Sequence, residues 1–231
     1  KINNFVENAE LEEISIGCSD SQVIKIKKDE EIYFLKMAKK GLLTQEYNAL
    51  RWLNKKLPVP EIIIFDDESD NEFLITKAIP GEMVCSEYYI KNPDLAVKVI
   101  KDAFKSLHNV DISDCPFNVS NQYKLSLVEK NVKSGLIKDD DLNDETLKKF
   151  GSAENLLQFL KDNQFKEELC FSHGDTSLPN IFSLNCKFSG FIDVGECGIA
   201  DKSIDLAICE KSIRRNFGEE YVLKFYDELN I

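Results

Sequence analysis

Three side chains in the last third of the chain have types and spacing suited to phosphate chemistry. Asp175 precedes Asn180 by five residues, and Asp193 follows in the triplet Asp193-Val-Gly195. A carboxylate such as that of Asp175 can orient a hydroxyl group and accept its proton. The side-chain oxygens of Asn180 and Asp193 are of the kind that holds Mg²⁺ against substrate phosphates. The pattern therefore predicts a site that transfers a phosphoryl group from a nucleotide to a hydroxyl.

Protein kinases divide this work among an Asp, an Asn five residues later and the Asp of a D-x-G triplet, and they add an upstream Lys–Glu pair. Lys36 and Phe34 lie on a predicted strand, where alternation puts both side chains on one face. Glu46 lies in the next helix, where it can pair with Lys36 and hold the ammonium group near phosphates. Taken alone, this pair also fits a surface ion pair worth under about 1 kcal/mol. The motif at Asp175 favours the functional interpretation.

Other residues near these motifs are less informative. The segment 16–23 offers a Gly turn and a polar loop whose backbone N–H groups could contact phosphate, but it has neither glycine-rich nucleotide motif. We expect His173 to brace the loop at Asp175, because no acid or serine flanks it in the pattern of a catalytic triad. Asp205 fits two interpretations equally, a buried acceptor of backbone N–H groups from this loop or an exposed acid at a helix start.

The elements that must position these residues form two groups. Alternating residues predict strands over 22–27, 31–37, 61–66 and 72–79. Helical spacing predicts a helix over 44–57 with Thr44 as its N-cap, ended by Pro58 and Pro60. Further helices are predicted from Asn92-Pro-Asp94 onward and over 122–133, 152–162, 204–213 and 219–229. The chain is therefore predicted as an α+β protein of two lobes, 1–78 and 79–231, with a cleft between them and a hinge near 76–79.

Composition restricts the partners and the compartment. A formal charge of −12 argues against nucleic acid and would attract a cationic substrate, although solubility alone can explain it. Seven cysteines without a C-x-x-C pair, and only two histidines, predict reduced thiols in a cytoplasm and no zinc site. No apolar run reaches the roughly 18 residues of a membrane span, and because no basic-then-apolar pattern follows Lys1, we do not expect secretion.

An acidic run over 139–145 allows two interpretations. By default such a run is a solvated loop. Its carboxylates could instead bind ammonium groups of a substrate through charge-assisted hydrogen bonds.

Seven segments spread along nearly the whole chain carry a family resemblance. They are Ile14-Ser-Ile-Gly-Cys-Ser19, Tyr33-Phe-Leu-Lys-Met37, Trp52-Leu-Asn-Lys-Lys-Leu-Pro-Val-Pro60, Asp111-Ile-Ser-Asp-Cys-Pro116, Phe171-Ser-His-Gly-Asp175, Ser189-Gly-Phe-Ile-Asp193 and Ala200-Asp-Lys202. With these segments the chain resembles the aminoglycoside 3′-phosphotransferases. The resemblance implies a protein-kinase-like fold, with one helix on a small antiparallel sheet in the first lobe and a helix-rich second lobe. It also implies transfer of the γ-phosphoryl group of ATP to a hydroxyl of a polycationic aminoglycoside.

The resemblance also implies roles for single residues. Asp175 would be the catalytic base, and Asn180 and Asp193 would hold Mg²⁺. The nucleotide would be bound by Ser19, Val23, Phe34, Lys36, Glu46, Thr76 and Ala78, with Thr76 and Ala78 making the hydrogen bonds to the purine. The substrate would be bound by Asp141, Asp144, Glu145, Asp175 and Glu196. ATP is the expected phosphoryl donor, with GTP left open, and the expected assembly is a monomer or weak dimer.

Two features depart from the family pattern. Glu196 stands where the family usually has an arginine, which changes the charge beside the site and the drugs expected to bind. Family members usually continue past the equivalent of Ile231 into a helix whose acidic end lines the drug site, so we expect a final segment to be absent here. Two other functions stay open, a kinase of another small amine or alcohol such as choline, and a nucleotide-binding pseudokinase.

Overall fold

An antiparallel sheet forms the amino-terminal part of the protein. The computed structural model describes residues 2–14 and 21–231. The strands and helices of this part, in chain order, are α1 (Ile2–Val6), β1 (Glu10–Ile14), β2 (Gln22–Lys28), β3 (Glu31–Lys39), α2 (Thr44–Leu53), β4 (Ile62–Asp66) and β5 (Asn71–Lys77). The strand order in the sheet is β1-β2-β3-β5-β4. The predicted strands are thus confirmed.

The pleat of β3 sends its side chains alternately to the two faces of the sheet. Leu35 is buried with Ile26 and Ile75 in a small cluster on one face. Phe34 and Lys36 therefore share the opposite face, where Phe34 pairs with Thr76 of β5. β2 lies between β1 and β3, and β4 pairs with β5 at the far edge of the sheet, so β3 and β5 lie inside it.

The helix α2 differs from its prediction at both ends. It ends at Leu53, not at residue 57, because the chain turns at Asn54 and Lys55 adopts a left-handed backbone with φ 68°. This turn returns the chain so that Leu57 is buried before Pro58. Thr44 is the first helical residue and not the N-cap, a position that Leu43 occupies without a capping side chain.

Helices and two short sheets make up the remaining part. Its elements in chain order are β6 (Glu82–Met83), α3 (Glu87–Lys91), α4 (Pro93–His108), α5 (Asn121–Lys133), α6 (Asp144–Phe150), α7 (Ala153–Asp162), β7 (Leu169–Ser172), β8 (Ile181–Leu184), β9 (Lys187–Phe191), β10 (Gly198–Asp201), α8 (Ser203–Phe217) and α9 (Glu219–Leu229). β10 pairs with β7, and β8 lies between β6 and β9. The predicted α+β architecture with an antiparallel sheet is confirmed.

The acidic run over 139–145 is not the continuous loop that its composition predicted. Residues Asp139–Asp141 form a 3₁₀ turn, and α6 begins at Asp144. The side chain of Asn143 accepts a hydrogen bond from the backbone N–H of Thr146 and so caps this helix.

One large apolar cluster joins the two parts of the chain. Helix α4 has the most buried face, and its Phe104 packs against Phe225 of α9. Leu50 and Leu53 of α2 belong to the same cluster as these rings. Because this core runs across residue 78, α2 is fixed to both parts; the boundary at 78 stays a prediction. In the described part of the chain, no helix is long and apolar enough to cross a membrane.

Candidate active site

A cavity of about 370 Å³ lies between the sheet and the β8–β9 hairpin. Six of the predicted nucleotide residues line it, together with one predicted metal ligand: Val23, Phe34, Lys36, Glu46, Thr76, Ala78 and Asp193. Ser19 lies outside the described residues. The prediction missed the apolar residues Ile79, Met83, Phe182 and Ile192, which also line the cavity. No local motif marks them, since their position depends on how the hairpin packs below the sheet.

Lys36 joins the sheet, α2 and the D-x-G turn at the inner end of this cavity. Its Nζ lies 2.7 and 2.9 Å from the two carboxylate oxygens of Glu46 and also forms an ion pair with Asp193. The side chains of Lys36 and Glu46 are 21% and 13% exposed, whereas that of Asp193 is 49% exposed. The structure therefore brings together three residues separated by up to 157 positions in the chain.

The electrostatics of this cluster have opposing contributions. Burial lowers the pKa of Lys36, but the charges of Glu46 and Asp193 outweigh it and raise the pKa above its ordinary value. Burial raises the pKa of Glu46, and the attraction of Lys36 only partly offsets that effect. The ammonium group of Lys36 contacts both oxygens of Glu46 and a second carboxylate, so the pair is ionised.

The loop after β7 positions Asp175. Gly174 has φ 84°, and a Cβ on it would lie 2.4 Å from the carbonyl oxygen of Glu196, so only glycine fits there. The side-chain amide of Asn180 donates to Asp175 Oδ2 at 2.9 Å and to its carbonyl oxygen at 3.0 Å. The 3₁₀ turn Leu178–Asn180, which contains Pro179, brings the asparagine back toward the aspartate. The five-residue spacing thus produces a direct contact.

The imidazole of His173 connects this loop to the strand that leads to Asp193. Its Nδ1 accepts a hydrogen bond from the backbone N–H of Asp175 at 3.2 Å, so Nε2 carries the proton and donates to the carbonyl oxygen of Ile192 at 2.9 Å. The ring is completely buried, and burial lowers its pKa, which favours this neutral form. These contacts agree with a bracing role and leave no ring nitrogen for a general base.

Two interpretations were open for Asp205 of α8, a buried acceptor of backbone N–H groups and an exposed acid, and the structure shows the buried acceptor. Its side chain is inaccessible to solvent and accepts hydrogen bonds from the backbone N–H groups of His173 at 2.9 Å and Gly174 at 3.1 Å. Thr176 adds a hydrogen bond from its hydroxyl to the Asp205 carbonyl oxygen at 2.6 Å. Helix α8 therefore holds both sides of the loop that carries Asp175.

Asn180 and Asp193 have the donor set of a hard cation site. The amide nitrogen of Asn180 is taken up by Asp175 and Ser177, which leaves its carbonyl oxygen for a cation. Asp193 has a left-handed backbone with φ 57° and an accessible carboxylate. Two protein oxygens, completed by water and phosphate, suit Mg²⁺. Among the described residues, no three His, Cys, Asp or Glu side chains lie close enough together to hold a metal ion.

The predicted substrate residues fall into two places. Glu196 is exposed, and its backbone lies against Gly174 beside Asp175. Asp141, Asp144 and Glu145 are exposed on the segment around α6, which contacts α7. Over residues 2–14 and 21–231, no hydrogen bond or ion pair connects these three acids to Asp175, and their substrate role stays a prediction.

The backbone N–H of Ala78, one of the hinge groups expected to bind the purine, already has a hydrogen-bond acceptor. The backbone N–H of Ala78 already donates to the carbonyl oxygen of Ile32 at 2.9 Å. A hydrogen bond from this N–H to a purine therefore has to replace the bond that continues the β3–β5 ladder.

Comparison with solved structures identifies the class of the fold. An aminoglycoside 3′-phosphotransferase of type VIII is 28% identical, with a TM-score of 0.73 and coverage of 95% of this chain and 85% of that one. An aminoglycoside phosphotransferase from Streptomyces rimosus in complex with ADP and streptomycin is 22% identical and shares the fold at a TM-score of 0.73, with 100% and 89% covered. The fold is therefore the protein-kinase-like fold of the aminoglycoside kinases.

Sequence comparison narrows this class. The phosphotransferase enzyme family matches the chain over residues 10–229. Aminoglycoside 3′-phosphotransferases from Enterococcus faecalis and Staphylococcus aureus are each 34% identical over 240 residues, which covers 100% of this chain and 90% of each relative. The chain therefore belongs to the phosphotransferase enzyme family, among the aminoglycoside 3′-phosphotransferases.

Proposed function

We propose that the protein transfers the γ-phosphoryl group of ATP to the 3′-hydroxyl of an aminoglycoside antibiotic and so confers resistance to it. The contact of Lys36 with both Glu46 and Asp193, at the end of a cavity beside the Asp175–Asn180 pair, carries this proposal. The names of its relatives, aminoglycoside 3′-phosphotransferases at 34% identity, supply the acceptor and the position of transfer.

The nucleotide enters the cavity between the sheet and the hairpin. Phe34 presents its ring to the purine, and the backbone at Thr76 and Ala78 offers hydrogen bonds to the base edge once the bond from Ala78 to Ile32 opens. Lys36 turns from Asp193 toward the phosphates and keeps its contact with Glu46. The remaining proposed nucleotide contacts are Val23 and Ser19, and Ser19 lies outside the described residues.

Asn180 and Asp193 are the proposed Mg²⁺ ligands. When bound, Mg²⁺ neutralises negative charge on the phosphates of ATP. Asp193 is paired with Lys36 and Asn180 with Asp175, so both ligands are held near the reacting groups before the cation binds.

Asp175 orients the acceptor hydroxyl and takes its proton. Its carboxylate is fixed by the amide of Asn180 and by the backbone N–H of Ser177, at 2.9 and 3.3 Å. Because the transition state of phosphoryl transfer is thought to be loose, positioning should contribute more than proton removal. The rigid support of this loop by His173 and Asp205 serves that purpose.

The acceptor is proposed to be a polycation. The net charge of −12 attracts such a molecule, and Glu196, an exposed acid, has its backbone against Gly174, which precedes Asp175. Asp141, Asp144 and Glu145 are proposed to contact its amino groups.

Release of ADP, measured against a panel of aminoglycosides and against choline, tests the proposed function. We expect turnover with aminoglycosides that carry a 3′-hydroxyl, none with 3′-deoxy compounds, and a product phosphorylated at that oxygen by NMR. Turnover with choline alone, or a phosphate on another hydroxyl, would contradict the proposed acceptor. ADP binding without turnover on any substrate of the panel would contradict catalysis.

A further inference from the structure

Glu72 is a buried carboxylate whose side-chain hydrogen bonds are donated by residues 41–44, at the start of α2. It lies on β5, and only 1% of the residue is exposed. One carboxylate oxygen accepts from the backbone N–H groups of Leu43 at 2.7 Å and Thr44 at 3.0 Å, and the other accepts from the hydroxyl of Thr44. Because these hydrogen bonds of a buried acid are all donated at one helix start, we infer that Glu72 fixes the position of that helix.

The helix terminus needs this partner. The first N–H groups of a helix have no intrahelical acceptor, and Leu43 at the N-cap offers no side-chain oxygen. Glu72 supplies the missing acceptor from a neighbouring strand, and its negative charge is favourable at a helix amino terminus. Burial raises the pKa of Glu72, but the hydrogen bonds from Thr44, Gly41 and Leu43 together outweigh it and hold the pKa below its ordinary value.

The same turn of α2 carries a site residue. Glu46 follows Thr44 by two positions and contacts Lys36 through both carboxylate oxygens. On the sheet, Leu74 lies opposite Lys36, and Glu72 is two positions before Leu74 on the same strand. The Lys36–Glu46 pair and the Glu72–Thr44 bonds therefore join the same two elements, the sheet and the first turn of α2, at two neighbouring points.

We propose that Glu72 is a positioning residue for the phosphoryl-transfer site. Its carboxylate holds the first turn of α2 against β5 and so keeps Glu46 in contact with Lys36. This inference rests on the proposed function for its meaning in catalysis. Its primary test is the affinity for a nucleotide, which does not depend on the identity of the acceptor.

The experiment combines Glu72→Ala and Glu46→Ala, singly and together, with the dissociation constant for ADP in the presence of Mg²⁺ as the readout. Without the bonds from Glu72, Glu46 should move away from Lys36, and ADP binding should weaken by about tenfold, the order expected when one hydrogen bond to a charged phosphate is lost. In the Glu46→Ala background, Glu72→Ala should weaken binding no further, because residues that act through one another are not additive. Glu72→Gln keeps an oxygen for the two backbone N–H groups and should restore most of the affinity.

Glu167 provides a matched control for loss of a helix cap. Its carboxylate accepts from the backbone N–H groups of Asn121 at 2.8 Å and Gln122 at 3.2 Å, at the start of α5. None of the proposed catalytic, nucleotide or metal residues lies on that helix. Glu167→Ala should therefore lower the melting temperature without changing the affinity for ADP.

Three results would overturn the inference: unchanged ADP affinity in folded Glu72→Ala, a loss that adds to that of Glu46→Ala, or an equal loss in Glu167→Ala. If Glu72→Ala does not fold, Glu72→Asp replaces it, because its carboxylate is one methylene too short for the bonds to α2, and the same outcomes apply. A wild-type protein that binds ADP but phosphorylates no aminoglycoside would refute the proposed acceptor, while the affinities still decide the role of Glu72.

Discussion

Replacing Asp175 by asparagine removes one negative charge from the proposed site and keeps nearly the same shape. Oδ1 of the new asparagine can keep the acceptor position toward Asn180, which Asp175 Oδ2 holds at 2.9 Å. The loop should also keep its backbone bonds to His173 and Asp205, since neither involves the Asp175 side chain. The bond that is lost is the long one from the backbone N–H of Ser177 to Asp175 Oδ1 at 3.3 Å, because Nδ2 of the new asparagine cannot accept it. The variant should therefore still fold and differ from the wild type mainly in chemistry.

The expected effect is a loss of turnover without loss of nucleotide binding. A general base contributes about 10²–10⁴-fold to a rate. At about 1.4 kcal/mol per factor of ten, this range corresponds to roughly 3–5 kcal/mol of transition-state stabilisation. Asp175 does not line the cavity that we assign to the nucleotide, so KM for ATP should change by less than about twofold.

Coupled measurement of ADP release gives kcat and KM for both substrates, and calorimetry with ADP gives the affinity directly. A variant that turns over at near the wild-type rate would refute the assignment of Asp175. A loss of nucleotide affinity as large as the loss of turnover would show that the substitution disturbs the loop. A lowered melting temperature would then accompany it.

Three further substitutions test the site and its support. Gly174→Ala places a Cβ 2.4 Å from the Glu196 carbonyl oxygen, in a left-handed backbone, so the free energy of unfolding measured in urea should fall by about 1–3 kcal/mol. An unchanged unfolding midpoint would argue against this loop geometry. Glu196→Gln should raise KM for aminoglycosides up to about fivefold and leave KM for ATP unchanged, as expected for one exposed charge contact; an unchanged aminoglycoside KM would remove Glu196 from the acceptor site. Asp144→Asn combined with Glu145→Gln should raise aminoglycoside KM in the same assay, whereas Glu154→Gln, an exposed acid in the first turn of α7, should not; equal effects would indicate only long-range charge.

Features that depend on neighbouring residues in the chain were predictable. The strands β2 and β3 follow from alternation, and their sharing of one sheet follows from the short turn at Asp29 and Glu30, both with positive φ. The five-residue spacing from Asp175 to Asn180 is likewise local, because one loop and one 3₁₀ turn contain both residues. The capping by Asn143 was also present in the sequence, and the acidic composition of the run concealed it.

Features that depend on packing were not predictable. Helix α2 ends at Leu53 because the chain turns there to bury Leu57, which the helical spacing of these residues does not reveal. The acceptor that already binds the backbone N–H of Ala78 is the carbonyl oxygen of Ile32 on another strand, 46 positions earlier in the chain. No signal near Thr44 indicated that its helix would be capped from Glu72.

The sequence alone therefore determined the types of the candidate site residues, the family and the elements that carry Asp175, Asn180, Lys36 and Asp193. Only the tertiary structure decided that Lys36 contacts Glu46 and Asp193 together, that Asp205 is buried beneath the loop of Asp175, and that Glu72 binds the start of α2. The physical reason is the range of the interactions. Spacing and propensity act within a few residues, whereas the partners of a buried charge are set by which distant segments the apolar core brings together.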